Sequence, residues 1–193
     1  MTKYILLDIH GVLTDGKERK RFMSYMKKKY NMDKKKHNNL WMKNLKSLDK
    51  GKIKPKVYIK KINNEFGTKF SIKQYYGLFT KQIKVNRILL KKLKNRKVYI
   101  LSDNFSSIVY GLNKILGKQF EQYRKIYSHK IGLTKSENLF KPALKILKLK
   151  PENCLFIDDS LTNVKIARKN KIKSILFKSN SQFSREFRKY KDY

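Results

Sequence analysis

Three short apolar runs along the chain each stop at a polar side chain. Tyr4-Ile5-Leu6-Leu7 ends at Asp8 and leads into Ile9-His10-Gly11. Lys97-Val98-Tyr99-Ile100-Leu101 ends at Ser102-Asp103-Asn104, and Cys154-Leu155-Phe156-Ile157 ends at Asp158-Asp159-Ser160. Runs of this length, bounded by turn formers and separated by helical stretches, read as buried strands of a parallel sheet. In such a sheet the reactive groups gather beyond the carboxyl ends of the strands. The pattern therefore predicts an α/β fold and one polar crevice shared by Asp8, Ser102 and the Asp158-Asp159 pair. A single strand-terminal Asp often only caps a turn or helix; its repetition at one level of three strands is what favours a site.

Between Gly16 and about Lys84 the period changes from buried strands to helices. Phe22, Met26 and Tyr30 share one face, Leu40, Leu45 and Leu48 mark a second helix, and Val57, Ile62 and Phe66 a third that stops at Gly67. Ser71 starts a fourth, and Ile83 to Leu93 reads as a helix returning the chain to the second strand. The expected organisation is a core of residues 1–15 and 85–193 with a helical insertion over 16–84. The final stretch from Ser181 to Tyr193 reads as a last helix docking Phe183 and Phe187, one turn apart, on the sheet.

Three segments carry a family resemblance. Leu6-Leu7-Asp8-Ile9-His10-Gly11-Val12-Leu13-Thr14-Asp15-Gly16, the strand-borne Leu101-Ser102-Asp103-Asn104, and the stretch from Ser128 to Phe177 resemble the haloacid dehalogenase superfamily of phosphatases and related hydrolases. The last segment is the most specific, with Gly132-Leu133, Lys135, Phe140, Pro151-Glu152, Asp158-Asp159, Asn163 and Ala167-Arg168 in the order of the subgroup with a small helical cap. The resemblance implies a Rossmann-like parallel sheet with helices on both faces and a small α-helical cap, formed by the insertion, over the crevice.

The resemblance also implies roles. Asp8 would be the nucleophile that takes a phosphoryl group as an aspartyl-phosphate. Ser102 would hydrogen-bond the phosphate, and Lys135 would neutralise phosphate and nucleophile; Lys141-Pro142, which looks like the family's Lys-Pro pair, lies after Phe140 in the wrong register. Asp158 and Asp159, with Asp8 and the backbone carbonyl of His10, would hold Mg²⁺, a hard cation suited to carboxylate oxygens. The chain departs from the family at His10, where most of its phosphatases carry a second Asp as acid and base. An imidazole can carry out both proton transfers; alternatively, only its carbonyl serves and the ring faces the cap. Asp103, where a neutral Asn is usual, is expected to point away from the phosphate.

Composition sets the remaining bounds. At 193 residues with 40% apolar content the chain can build one α/β core and a small insertion. Its one cysteine, Cys154, rules out an internal disulfide and reads as a core residue in a reducing compartment. No apolar run approaches the ~18 residues of a membrane span, so a cytoplasmic protein without membrane contact is expected. The formal net charge of +35 exceeds what a small anionic substrate requires. A surface of this kind attracts nucleic acid or another polyanion non-specifically, although compositional bias toward lysine accounts for part of the excess. Two readings follow: a Mg²⁺-dependent phosphatase for a small phosphorylated substrate, or a catalytically weak protein of this fold whose basic surface is its working part. A dehalogenase is a third reading, suggested only by His10.

Overall fold

The computed structural model describes residues 3–193, the side chains of Tyr110, Lys118 and Gln119 excepted. Five strands, β1 (Tyr4–Leu7), β2 (Val98–Ser102), β3 (Arg124–Tyr127), β4 (Cys154–Asp158) and β5 (Lys173–Leu176), form one all-parallel sheet in the order β3-β2-β1-β4-β5. The chain builds outward from β1 through β2 to β3, then crosses back to β4 and β5. The crevice at that reversal, beyond the carboxyl ends of β1 and β4, is where a sheet of this kind binds ligands.

Alternation along the strands explains the layering. Ile5 and Leu7 of β1 and Leu155 and Ile157 of β4 enter one apolar layer; Leu6, Cys154 and Phe156 enter the other. A sheet buried on both faces needs apolar residues at successive positions, which is what these runs supply. Helices α1 (Glu18–Tyr30), α2 (Lys34–Asp49), α3 (Pro55–Phe66) and α4 (Ile72–Thr80) follow β1; α5 (Arg87–Lys92) precedes β2; α6 (Ser106–Leu116) and α7 (Lys118–Glu121) follow it. After β3 come α8 (Ser128–Ile131) and α9 (Phe140–Leu147), then α10 (Leu161–Lys169) after β4 and α11 (Asn180–Phe187) at the end. Leu89, Leu112 and Phe183 of α5, α6 and α11 fill the first layer, and Phe140, Ala143 and Ala167 of α9 and α10 the second. The chain thus has helices on both faces of a Rossmann-type sheet.

Helices α1–α4 form with the expected signals. Ser71 caps α4 in a reciprocal box with Gln74, and Gly67 ends α3 at φ +63°. Phe22 is their shared centre, meeting His37, Trp41, Tyr75 and Phe79 edge-on. The segment expected as a helix from Ile83 to Leu93 is a helix only over Arg87–Lys92. Its first residues are extended because they pair with the turn after β1: the Asp15 N–H donates to the Lys84 carbonyl (3.1 Å), the Asn86 N–H to that of Leu13 (2.8 Å), and Val85 bridges Thr14. Phe183 is fully buried and stacks on Phe187 at 4.9 Å, as the C-terminal pattern predicted. Among the described residues no helix is long and apolar enough to cross a membrane.

Candidate active site

Asp8 leaves β1 still tied to the sheet, its N–H donating to the Ile157 carbonyl at 3.0 Å. The next residues make one wide turn, closed by the Thr14 N–H on the Ile9 carbonyl at 2.9 Å, with Gly11 at φ +79°. Glycine is required twice over here. The conformation is left-handed, and a Cβ on Gly11 would lie 1.9 Å from Asp159 Oδ2. Gly11→Ala is therefore expected to destabilise the protein by at least ~1 kcal/mol from the backbone alone and to displace Asp159. Thermal melts with and without Mg²⁺ should show a lower midpoint and a smaller metal-induced rise.

Lys135 joins the strands electrostatically. Its side chain is 2% exposed, and its Nζ lies 2.7 Å from Asp8 Oδ1 and 2.6 Å from Asp158 Oδ2. Burial alone would depress this amine, but Asp8, Asp158 and Asp103 outweigh it and hold the ammonium form far above its ordinary range. Ser102 Oγ donates to the same Asp8 Oδ1 at 2.6 Å; among the described residues Oδ2 accepts no hydrogen bond. Asp158 also accepts from the Ser160 N–H (2.7 Å) and from Asn163 Nδ2 (3.2 Å to each oxygen). Oxygens of Asp8, Asp158 and Asp159 lie within 4.8 Å of one another, a hard-ligand set that suits a divalent cation. Asp159 is the exposed member, raised to about 6 by partial burial and by its two acidic neighbours.

The His10 ring is held on both sides. Nδ1 pairs with Glu18 Oε1, and Nε2 lies 3.0 Å from Asn104 Oδ1, whose Nδ2 donates to Ser102 Oγ at 3.0 Å. With both ring partners acceptors, the arrangement is that of an imidazolium at one end of a chain running His10, Asn104, Ser102, Asp8. Burial would lower the His10 pKa, yet Glu18 and Asn104 raise it above the ordinary value; Glu18 is correspondingly lowered against its own desolvation.

Two further acids stand within electrostatic range of Asp8. Asp103 accepts from the Lys135 backbone N–H (2.9 Å) and so stays within electrostatic range of Asp8 and Asp158; burial raises it to about 6 despite Lys135. Asp49, the last residue of α2, is pushed up to about 7 by burial and then by the charge of Asp103. Both hold protons that the unfolded chain releases near pH ~4, so their contribution favours the fold below that pH and is lost as pH rises through 6 and 7. His10, whose folded pKa is raised, adds in the same sense, since its stabilisation fades above its ordinary value. The metal-free protein should melt at a lower temperature at pH 7.5 than at pH 5, and Asp49→Asn should flatten that slope.

All five side chains expected to converge, from Asp8, Ser102, Lys135, Asp158 and Asp159, do so. Asn104 and Asn163 stand in the segments that carry the resemblance but were given no role from sequence, and Glu18 and Asp49 were not singled out. Glu18 had left a signal: it is the only acid between Lys17 and Lys29. Asp49 gave none.

A family model described as haloacid dehalogenase-like hydrolase matches residues 2–170. No curated protein matches the chain. Among solved structures, a HAD family enzyme from Bacteroides thetaiotaomicron is 24% identical, with TM-score 0.78, over 96% of this chain and 98% of its own. Another structure of that enzyme, 23% identical (TM-score 0.77; 97% and 100% covered), is a complex with magnesium and inorganic phosphate. The L-2-haloacid dehalogenase from Xanthobacter autotrophicus, with chloropropionic acid covalently bound, is 13% identical (TM-score 0.65; 100% and 85% covered). With the family model spanning most of its length, the chain belongs to the haloacid dehalogenase-like hydrolases.

Proposed function

We propose that the protein is a Mg²⁺-dependent phosphomonoesterase acting through an aspartyl-phosphate on Asp8. The observation that carries this reading is the buried Lys135 ammonium bridging Asp8 and Asp158 beside Asp159, since a phosphoryl site needs a nucleophile, a fixed cation and acidic ligands at one point. Asp8, Asp158, Asp159 and the His10 carbonyl would hold the Mg²⁺, which when bound supplies positive charge against the phosphate oxygens and relieves the crowded carboxylates. The magnesium and phosphate in the similar Bacteroides enzyme support this choice.

Ser102 and Lys135 fix Asp8 Oδ1, so Oδ2 attacks phosphorus and the ester P–O bond breaks. The departing oxygen takes a proton from His10 Nε2, released from Asn104, while Glu18 holds Nδ1. A water then attacks the aspartyl-phosphate, His10 recovers its proton, and inorganic phosphate leaves with Asp8 restored. His10→Ala should lower kcat about 10²–10⁴-fold. Helices α1–α4 serve as the cap that covers the crevice and excludes water. The test is hydrolysis of an aryl phosphate with Mg²⁺, its loss on chelation, and its loss in Asp8→Asn. Chloride release from 2-chloropropionate, with every phosphate ester inert, would instead support a dehalogenase.

A second reading concerns partners. Six of the fourteen acids, Asp8, Glu18, Asp49, Asp103, Asp158 and Asp159, are drawn into the crevice region, so the remaining surface is more basic than the composition suggests. Non-specific contact with nucleic acid or another polyanion follows from that distribution. Binding that weakens steeply with salt and does not depend on base sequence would support it.

A further inference from the structure

Glu137 divides one carboxylate between two parts of the molecule. Its Oε2 accepts from the Thr134 N–H at 3.3 Å and from the Thr134 hydroxyl at 3.1 Å, closing the single helical turn Lys135–Glu137. Its Oε1 meets α2, with Lys50 Nζ at 2.8 Å and Lys46 Nζ at 3.1 Å. Among the described residues these are the only ion pairs that join α2, α3 or α4 to the rest of the chain. The rest of the seat of α2 is a matter of shape: the Trp41 ring lies 6.3 Å from that of Phe105, and a Cβ on Gly51, just past the helix, would come within 2.8 Å of the His129 carbonyl.

The turn closed by Glu137 is the one that delivers Lys135. Thr134 caps it, Asn138 ends it in the left-handed conformation at φ +68°, and the Lys135 N–H donates to Asp103 at 2.9 Å. From there the side chain reaches Asp8 and Asp158. Ser136 leaves the turn without the backbone restraint that a proline would impose, so the reciprocal bonds between Thr134 and Glu137 carry its shape. Glu137 is partly exposed, and water and other rotamers compete for its carboxylate whenever the lysines leave. An isolated surface ion pair contributes little, but Lys50 is only 14% exposed and two ammonium groups share one oxygen.

We propose that Glu137 is a positioning residue that makes the placement of Lys135 depend on the seating of α2. With Lys46 and Lys50 engaged, the turn is closed and the ammonium stands between Asp8 and Asp158; with them withdrawn, the turn loosens. The consequence for turnover rests on the phosphomonoesterase reading, in which the fixed cation is then complete only while α1–α4 cover the crevice. Amide hydrogen exchange over residues 133–139, relative to that over β2, is compared in the wild-type protein, Lys46→Gln/Lys50→Gln and Lys46→Arg/Lys50→Arg. The glutamine variant should exchange about fivefold or more faster there, and the arginine variant should stay within about twofold of wild type. In aryl phosphate hydrolysis with Mg²⁺ the glutamine variant should lose at least about threefold in kcat with KM within about twofold, because misplacing a group that acts in the transition state costs rate more than binding, and arginine should restore it. Glu137→Gln keeps an acceptor for Thr134 and gives up the ion pairs, so it should match the glutamine variant in both measurements. Unchanged exchange over 133–139, a change that arginine fails to restore, or loosened exchange with unaltered kcat overturns the proposal. If no form turns over any phosphate ester, exchange that loosens with glutamine and recovers with arginine upholds the link and removes the phosphomonoesterase reading; turnover with neither measurement moved does the reverse.

Discussion

Lys135→Met will lower stability by about 3–5 kcal/mol, the range for breaking a buried ion pair by removing one partner. The side chain is 2% exposed and contacts Asp8 and Asp158 at 2.7 and 2.6 Å, and methionine fills similar volume while leaving two carboxylates facing each other without a cation. The loss should appear as a lower urea midpoint with an unchanged slope. Adding Asp158→Asn to Lys135→Met should recover part of it, because the second change removes a stranded charge; strict additivity of two destabilising changes would show that the pair is not coupled. Phosphatase turnover should vanish in both variants.

Asp8→Asn should reduce kcat by about 10⁴-fold or more, the scale seen when a nucleophile is removed from a working site. The amide cannot form the aspartyl-phosphate, although it still accepts from Ser102 and reaches Lys135. The variant should fold and melt close to wild type, since it removes one carboxylate from a cluster that carries several. Acid quench and mass spectrometry of the wild-type protein during turnover should find phosphate on Asp8, with no such adduct in the variant. An adduct elsewhere, or retained activity in Asp8→Asn, would remove the proposed chemistry.

The sheet was readable because its strands are buried on both faces and end abruptly. An apolar run cut off by Asp8, Ser102 or Asp158 leaves few alternatives to a strand that delivers a side chain to the crevice. Helices α1–α4 were readable from helical periodicity and, for α3 and α4, from Gly67 and Ser71 at the junction between them. Lys135 was located by family resemblance; nothing in its local sequence marks it among so many lysines. The extended pairing of Lys84–Asn86 was misread as helix because short apolar runs do not separate the two conformations, and its partner, Thr14, lies across the whole insertion. Glu18, Asn104 and Asp49 act through contacts between elements far apart in sequence, such as His10 with Asn104 at 3.0 Å, and pattern along the chain does not report those.

β1, the central strand, is also the first to be synthesised, yet the strands that flank it begin at Val98 and Cys154. Non-local pairing of this kind slows folding, because loop-closure entropy must be overcome before any contact rewards it. Helices α1–α4 also pack on one another and are able to begin collapsing early, while Tyr4–Leu7 waits with an apolar edge on either side. A nascent chain halted before Cys154 would hold that edge open, so such truncated products should aggregate and bind chaperones far more readily than the finished protein.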